Sequence, residues 1–205
     1  MKKIVNEYYV YDFNELNDNA KEKALNDNRD INTDGYDWWQ YVLEDFCDEN
    51  EEKGINIDTK NIYFSLNYSQ GDYLKIDKGY IDAIKYIKHF KYDKYMPLID
   101  FYEKNDLNLT FFINGNGNRH KSYIEFNGDD LNDFNDDLSD EQKKDLDYLF
   151  EGIELEIQDY IHQIEKDLFK KIEKYYEYLT SDDAIIETFL ANEYTFRDNG
   201  VMDNS

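Results

Sequence analysis

Seven carboxylates fall within thirteen residues, at Asp129, Asp130, Asp133, Asp136, Asp137, Asp140 and Glu141, and Asp145, Glu156 and Asp159 continue the series. On a helix, side chains three or four apart share a face, with Cβ atoms ~5–6 Å apart. Phosphates along a nucleic-acid strand are separated on a similar scale. A stiff acidic row can therefore enter a Lys/Arg-lined groove and displace its water and ions. Asp129, Asp130, Asp133, Asp136, Asp137, Glu141, Asp145, Glu156 and Asp159 are accordingly the candidate partner-binding residues. A solvated face accounts for any one of them singly; their sum favours a partner.

Other chemistry is thinly represented. Asp30-Ile-Asn32-Thr-Asp34-Gly35 has the oxygen ligands and glycine of the first half of an EF-hand loop. The eighth position is Asp37 rather than aliphatic, and the twelfth is Tyr41 where a bidentate Glu belongs. An Asx-rich capping turn explains the same residues. Ser69-Gln70-Gly71-Asp72 puts polar groups at a strand end, but no base or oxyanion partner lies nearby in sequence. His89, His120 and His162 have no metal-ligand spacing. Cys47 beside Phe46 reads as a small core residue rather than a nucleophile. With no phosphate-binding loop, dinucleotide fingerprint or nucleophile elbow, the chain reads as a binding protein and not an enzyme, without cofactor or metal.

The element that must carry the acidic row is the run from Ser139 to about Thr180. Leu146, Phe150, Ile153, Ile157, Ile161, Ile164, Leu168, Ile172, Tyr175 and Leu179 recur at the helical period. Ser139 and Gln142 form a capping-box start, and Asp140 and Glu141 suit the positive end of the helix dipole. Such a helix spans ~60 Å unless Gly152 bends or breaks it. Its outward side is acidic in the first half; in the second, Lys166, Lys170 and Lys174 mix with Glu173 and Glu177.

Upstream, Glu7–Phe13 reads as a strand, and Asn14 caps a helix over Glu15–Asn28. A turn at Asp30–Asp37 leads to a helix from Asp37 to about Glu52, ended by Gly54. Asn61–Tyr68 is a strand, and helical period returns over 80–104, with Pro97 marking a kink or a second start at Met96. Leu107–Ile113 and Ser122–Phe126 form a hairpin across Asn114-Gly-Asn-Gly-Asn, and Gly128–Asp137 is an acidic loop. Asp182–Ala191 is a short helix and Tyr194–Val201 a last short strand. The expected class is α+β: a small, mostly antiparallel sheet covered by helices, with one long C-terminal amphipathic helix. It forms one domain over 1–205, with sub-lobes at 1–106 and 107–205 as the alternative.

Composition bounds the function. Only 40% of the 205 residues are apolar, but 20 Tyr and 13 Phe provide large buried areas, so a folded core is expected. With 47 acidic against 23 basic residues, a net charge of −24 repels nucleic acid and anionic membranes and attracts basic partners. One cysteine excludes an intrachain disulfide and fits a reducing cytoplasm. No apolar stretch approaches the ~20 residues of a membrane span, and no signal-peptide core is present.

Four stretches carry a resemblance: Tyr11–Ala24 (YxFxEL-x3-AKxKA), Asp37–Trp39 (DWW), Ser69–Asp72 (SQGD) and the ANEYxFxxxG ending within Tyr176–Gly200. Together they resemble a largely uncharacterised family of small acidic proteins borne by phages and plasmids. In that family SQGD is commonly followed by Gly; here Tyr73 stands in that place. The resemblance supplies no catalytic residues. It implies a mobile-element accessory protein acting in the cytoplasm of a bacterial host.

The expectation is an inhibitor of a host defence system, anti-CRISPR or anti-restriction. It would bind a basic nucleic-acid-handling protein, a CRISPR–Cas effector or a restriction enzyme, by partial nucleic-acid mimicry, without touching nucleic acid or membrane itself. A long exposed helix also offers a homodimer surface. Two alternatives remain: an antitoxin-like protein that neutralises a toxin through its aromatic surface, and an enzyme with a polar site around Tyr68–Asp72 and His120.

Overall fold

The computed structural model describes residues 7–66, 71–115, 122–129 and 138–203. Their elements run β1 (Tyr11–Asp12), α1 (Asp18–Asp27), α2 (Gln40–Glu51), β2 (Ile55–Ile57), β3 (Ile62–Ser65), β4 (Tyr73–Ile76) and β5 (Lys78–Asp82). There follow α3 (Ala83–Phe90), α4 (Met96–Lys104), β6 (Thr110–Gly115), β7 (Ser122–Phe126), α5 (Asp140–Leu179), α6 (Asp182–Ala191) and β8 (Thr195–Phe196). The class is α+β, with every pairing antiparallel among the described strands. Two compact units form, one from residues 1–38 with 173–205 and one from 39–172. Residues on either side of 106 share one sheet through the β5–β6 pairing.

In the unit of residues 39–172, four strands run in the order β2-β5-β6-β7, and β3 pairs with β4 separately. Alternation sets the faces: Ile55, Ile81, Phe111, Ile113 and Ile124 are buried, while Tyr80, Phe112 and Tyr123 are exposed. The expected pairing of the two β runs forms, with Ile113 opposite Ile124 and Gly115 opposite Ser122. The first strand is Thr110–Gly115 rather than Leu107–Ile113, because Asn114 and Gly115 extend it by pairing with Tyr123 and Ser122. Residues 116–121 lie outside the described residues.

Helix α5 follows from its stripe. Leu146, Ile153, Ile157, Ile161, Ile164, Leu168 and Ile172 are buried. The capping box closes as expected: Gln142 N–H donates to Ser139 Oγ (3.3 Å) and Ser139 N–H to Gln142 Oε1 (3.0 Å). All 40 residues are continuous through Gly152. A mid-helix glycine costs about 1 kcal/mol, whereas each buried aliphatic side chain contributes about 1.5–3 kcal/mol, so packing prevails. The glycine also makes room, since a Cβ there would stand 3.0 Å from the hydroxyl of buried Tyr95.

In the unit of residues 1–38 and 173–205, β1 pairs with β8, Tyr11 opposite Phe196. Phe13, Phe189 and Phe196 pack ring against ring at 4.9–6.0 Å, with Leu16, Ala20, Ala24 and Ile185 completing the core. Asn17 and Ser181 cap α1 and α6. Gly200, at φ +81°, lets the last turn pass so close that a Cβ would meet Ala20 O at 2.1 Å.

Several expected boundaries shift. Only Tyr11–Asp12 of the strand expected over 7–13 is paired, and Tyr8, Tyr9 and Val10 are exposed. A 3-10 turn at Phe13–Glu15 replaces the first turn expected after Asn14, because Asp12 and Glu15 cap each other there and Asn17 starts the α-helix. The helical period over 80–104 begins too early: residues 80–82 belong to β5, and Asp82 caps α3 by accepting Lys85 N–H at 2.9 Å. Ile81 fits the same spacing as Ile84 and Ile87, so periodicity alone merged strand and helix. Pro97 sits in the first turn of α4, where no N–H is needed. The expected strand over 61–68 is paired over Ile62–Ser65.

Candidate functional site

The first half of α5 brings together part of the acidic row. Glu141, Asp145 and Asp159 are exposed on it, and Tyr148 and Leu155, 77% and 67% exposed, lie on the same side. Successive offsets of 4, 3, 7 and 4 residues from Glu141 to Asp159 make one stripe of carboxylate, carboxylate, phenol, alkyl and carboxylate. Residues 140–159 hold eight acidic and two basic side chains, a net of −6. Residues 160–179 hold four of each.

Two of the candidate carboxylates are engaged within the chain instead. Asp129 accepts Asn108 N–H at 2.7 Å, and its backbone carbonyl accepts the Tyr102 hydroxyl at 3.0 Å, which fastens the exit of β7. Half-buried Glu156 pairs with Lys94, whose ammonium it holds above the usual range by hydrogen bonding. Asp130, Asp133, Asp136 and Asp137 lie outside the described residues. Sequence reasoning missed Tyr148 and Leu155, although both fall opposite the buried stripe and a helical projection would have found them.

A second constellation surrounds the edge strand β7. Gln158 Oε1 accepts Ile124 N–H (2.9 Å) while its Nε2 donates to Ser122 O (3.2 Å). The amide's orientation is thereby fixed, and its Nε2 lies 3.0 Å from His162 Nε2. His162 Nε2 also lies 3.0 Å from Ser122 O, so the tautomer decides whether it accepts from Gln158 or donates to that carbonyl. One turn on, Glu165 is 6% exposed; its Oε1 accepts Ile76 N–H at 3.0 Å and meets the Ser122 hydroxyl. Ser122 Oγ also lies 2.6 Å from Ile76 O, so one hydroxyl proton serves two acceptors.

Beside these residues a cleft of about 280 Å³ opens between β4 and α5. Leu74, Tyr73 and Phe169 wall it, Glu165 and His162 line it, and Lys166, Lys170 and Asp72 complete it. Asp72 and Gly71 are the described part of the SQGD turn; Tyr68, Ser69, Gln70 and His120 lie outside the described residues.

The Asp30–Gly35 turn is used for capping. Asn32 Nδ2 donates to Leu179 O at 3.0 Å, one of the last carbonyls of α5 that the helix itself leaves without a partner, and its Oδ1 accepts the Thr188 hydroxyl at 2.6 Å. Asp30 O accepts the N–H groups of Thr33 and Asp34. Among the described residues no three His, Cys, Asp or Glu side chains are grouped to hold a metal ion. Burial, reinforced by Asp58, Asp48 and Glu44, pushes the half-buried Cys47 thiol up to about 11, which disfavours the thiolate a nucleophile needs. No described helix is long and apolar enough to cross a membrane.

Neither the curated proteins nor the solved structures contain a significant match to the chain. A domain of unknown function, DUF8835, matches residues 38–182, well over half of the sequence, and the chain belongs to that family.

Proposed function

We propose that this protein is a mobile-element inhibitor that binds a basic, nucleic-acid-handling defence protein in the cytoplasm of a bacterial host, a CRISPR–Cas effector or a restriction enzyme. It acts by occupancy and not by catalysis. The observation that carries this reading is the exposed stripe Glu141–Asp145–Tyr148–Leu155–Asp159 on an unbroken helix. Glu141 to Asp159 spans ~27 Å, the length of about eight base pairs.

Charge alone is not enough. Residues 140–159 carry a net of −6 over ~30 Å, about one-third the linear charge density of duplex DNA. The mimicry is partial, and the remaining affinity comes from Tyr148 and Leu155 seating in apolar hollows between the partner's cations. Charge steers the encounter and the two side chains hold the complex.

The test is phage challenge of a bacterium carrying a CRISPR–Cas or restriction system, with and without this protein. Plaquing rises with the native chain and returns to the defended level with E141K/D145K/D159K or with Y148A/L155A. Full activity of both variants, or binding to the purified effector that is indifferent to salt, overturns the reading.

A second reading rests on the open sheet face, where Tyr80 lies opposite Phe112 with Tyr123 on the next strand, all exposed. Such an aromatic row suits a toxin-neutralising partner that binds without charge. Growth rescue upon co-expression with a toxin, lost in Y80A/F112A but kept in E141K/D145K/D159K, would select it.

A further inference from the structure

We propose that the cleft between β4 and α5 binds a small aromatic anion: a single aromatic or heteroaromatic ring bearing a phosphate or carboxylate. The site lies on the charge-balanced half of α5, needs nothing from the acidic stripe, and stands independently of the function proposed above.

The ring has its walls. Leu74 is buried, and Tyr73 and Phe169 are half-buried, so each presents an apolar surface to the cavity. About 280 Å³ is at the small end of ligand cavities, which admits one ring with its substituent and excludes a dinucleotide.

The charge has its partners as well. Lys166 and Lys170, one helical turn apart and exposed, form no ion pair among the described residues, and both line the cleft. A lysine can cover apolar surface with its stem while its ammonium stays in water, which their exposure at the cleft allows. Glu165 cannot swing out to neutralise them, because Ile76 N–H and the Ser122 hydroxyl hold its carboxylate.

Selectivity follows from the balance. Asp72 and Glu165 offset the formal charge of the two lysines, so the cleft is no general anion sink on a chain of net −24. A bare anion gains too little to overcome the surrounding field, and a bare ring leaves the lysines unused. Only a ligand offering both is held.

The test is a titration of the full chain with phenyl phosphate, followed by amide ¹H–¹⁵N shifts and calorimetry. Benzoate, inorganic phosphate and benzyl alcohol are the comparison probes. Saturable shifts are expected at Tyr73, Leu74 and across 162–170, with phenyl phosphate or benzoate binding at least tenfold tighter than inorganic phosphate or benzyl alcohol. K166A/K170A should lose at least tenfold in affinity with an unchanged melting temperature, because both side chains are exposed. F169L, which keeps the wall apolar but removes the ring, should lose several-fold. Absence of saturable shifts, shifts confined to other residues, equal affinity for inorganic phosphate, or full affinity in K166A/K170A would each overturn the proposal.

Discussion

The side-chain amide of Gln158 pairs with the backbone of Ile124 as a neighbouring strand would, accepting its N–H at 2.9 Å and returning a hydrogen to Ser122 O at 3.2 Å. Strand β7 ends its sheet, and a sheet edge is a template for unwanted pairing unless it is covered. Here one helix covers it with polar side chains three and four residues apart, Gln158, His162 and Glu165.

Gln158→Leu fills the same space but leaves Ile124 N–H and Ser122 O short of a partner. The expected loss is about 1–3 kcal/mol, read as a lower urea midpoint at unchanged slope. An unaltered midpoint would mean that the strand edge draws no stability from the helix.

Gly200 and Gly35 make a matched pair. Both have positive φ, +81° and +73°, but a Cβ at Gly200 meets Ala20 O at 2.1 Å, whereas at Gly35 nothing lies within 4 Å. Gly35→Ala should cost only the left-handed strain, about 1–2 kcal/mol. Gly200→Ala should cost roughly 2 kcal/mol more, because the clash is with backbone. Equal thermal shifts in the two variants would remove the close approach as an explanation.

Cys47 sets a pH dependence. Its thiol is raised to about 11 in the folded chain, first by burial and then by Asp58, Asp48 and Glu44. The folded state therefore holds this proton more tightly than the unfolded one, and the resulting stability is full below pH ~8.5. It is lost as pH rises towards 11. Stability of the native chain should fall across that window more steeply than that of Cys47→Ala, and iodoacetamide at pH 8.5 should label the thiol only after unfolding. Rapid labelling of the folded chain would contradict this.

The Tyr86 side chain is fully buried, yet its hydroxyl makes no hydrogen bond among the described residues. Its ring packs against Phe90, Tyr92 and Tyr160 at 4.8–6.1 Å. Tyr86→Phe keeps those contacts and removes an unsatisfied group, so stability should rise by about 1 kcal/mol. A drop of similar size would show that the hydroxyl is bonded in solution.

The sequence by itself determined the elements whose signals are local. The stripe from Leu146 to Ile172, the Ser139–Gln142 capping box, the antiparallel pairing of the runs before and after residues 116–118 and the helix Asp182–Ala191 all form as periodicity and local chemistry predict. Asn114 and Gly115, however, join the strand rather than the turn. Such signals need only neighbours a turn or a strand away. Continuity through Gly152 was not legible, because it rests on the tertiary burial of Leu146, Ile153 and Ile157 on either side, and the reason for the glycine, the room taken by buried Tyr95, is distant in sequence. The short strands β2 and β4 escaped for the same reason: three or four residues carry no period, and Ile55 and Ile76 become strand only by pairing with Ile81 and Ile62.

Which carboxylates face outward was likewise a tertiary decision. Spacing cannot say that Lys94 reaches Glu156 or that Asn108 takes Asp129, while Glu141, Asp145 and Asp159 stay in solvent. Composition fixed the sign and size of the charge. Only the packed chain decided where it is spent internally, because an ion pair or an edge-strand hydrogen bond joins residues that the backbone must first bring within 3 Å or so.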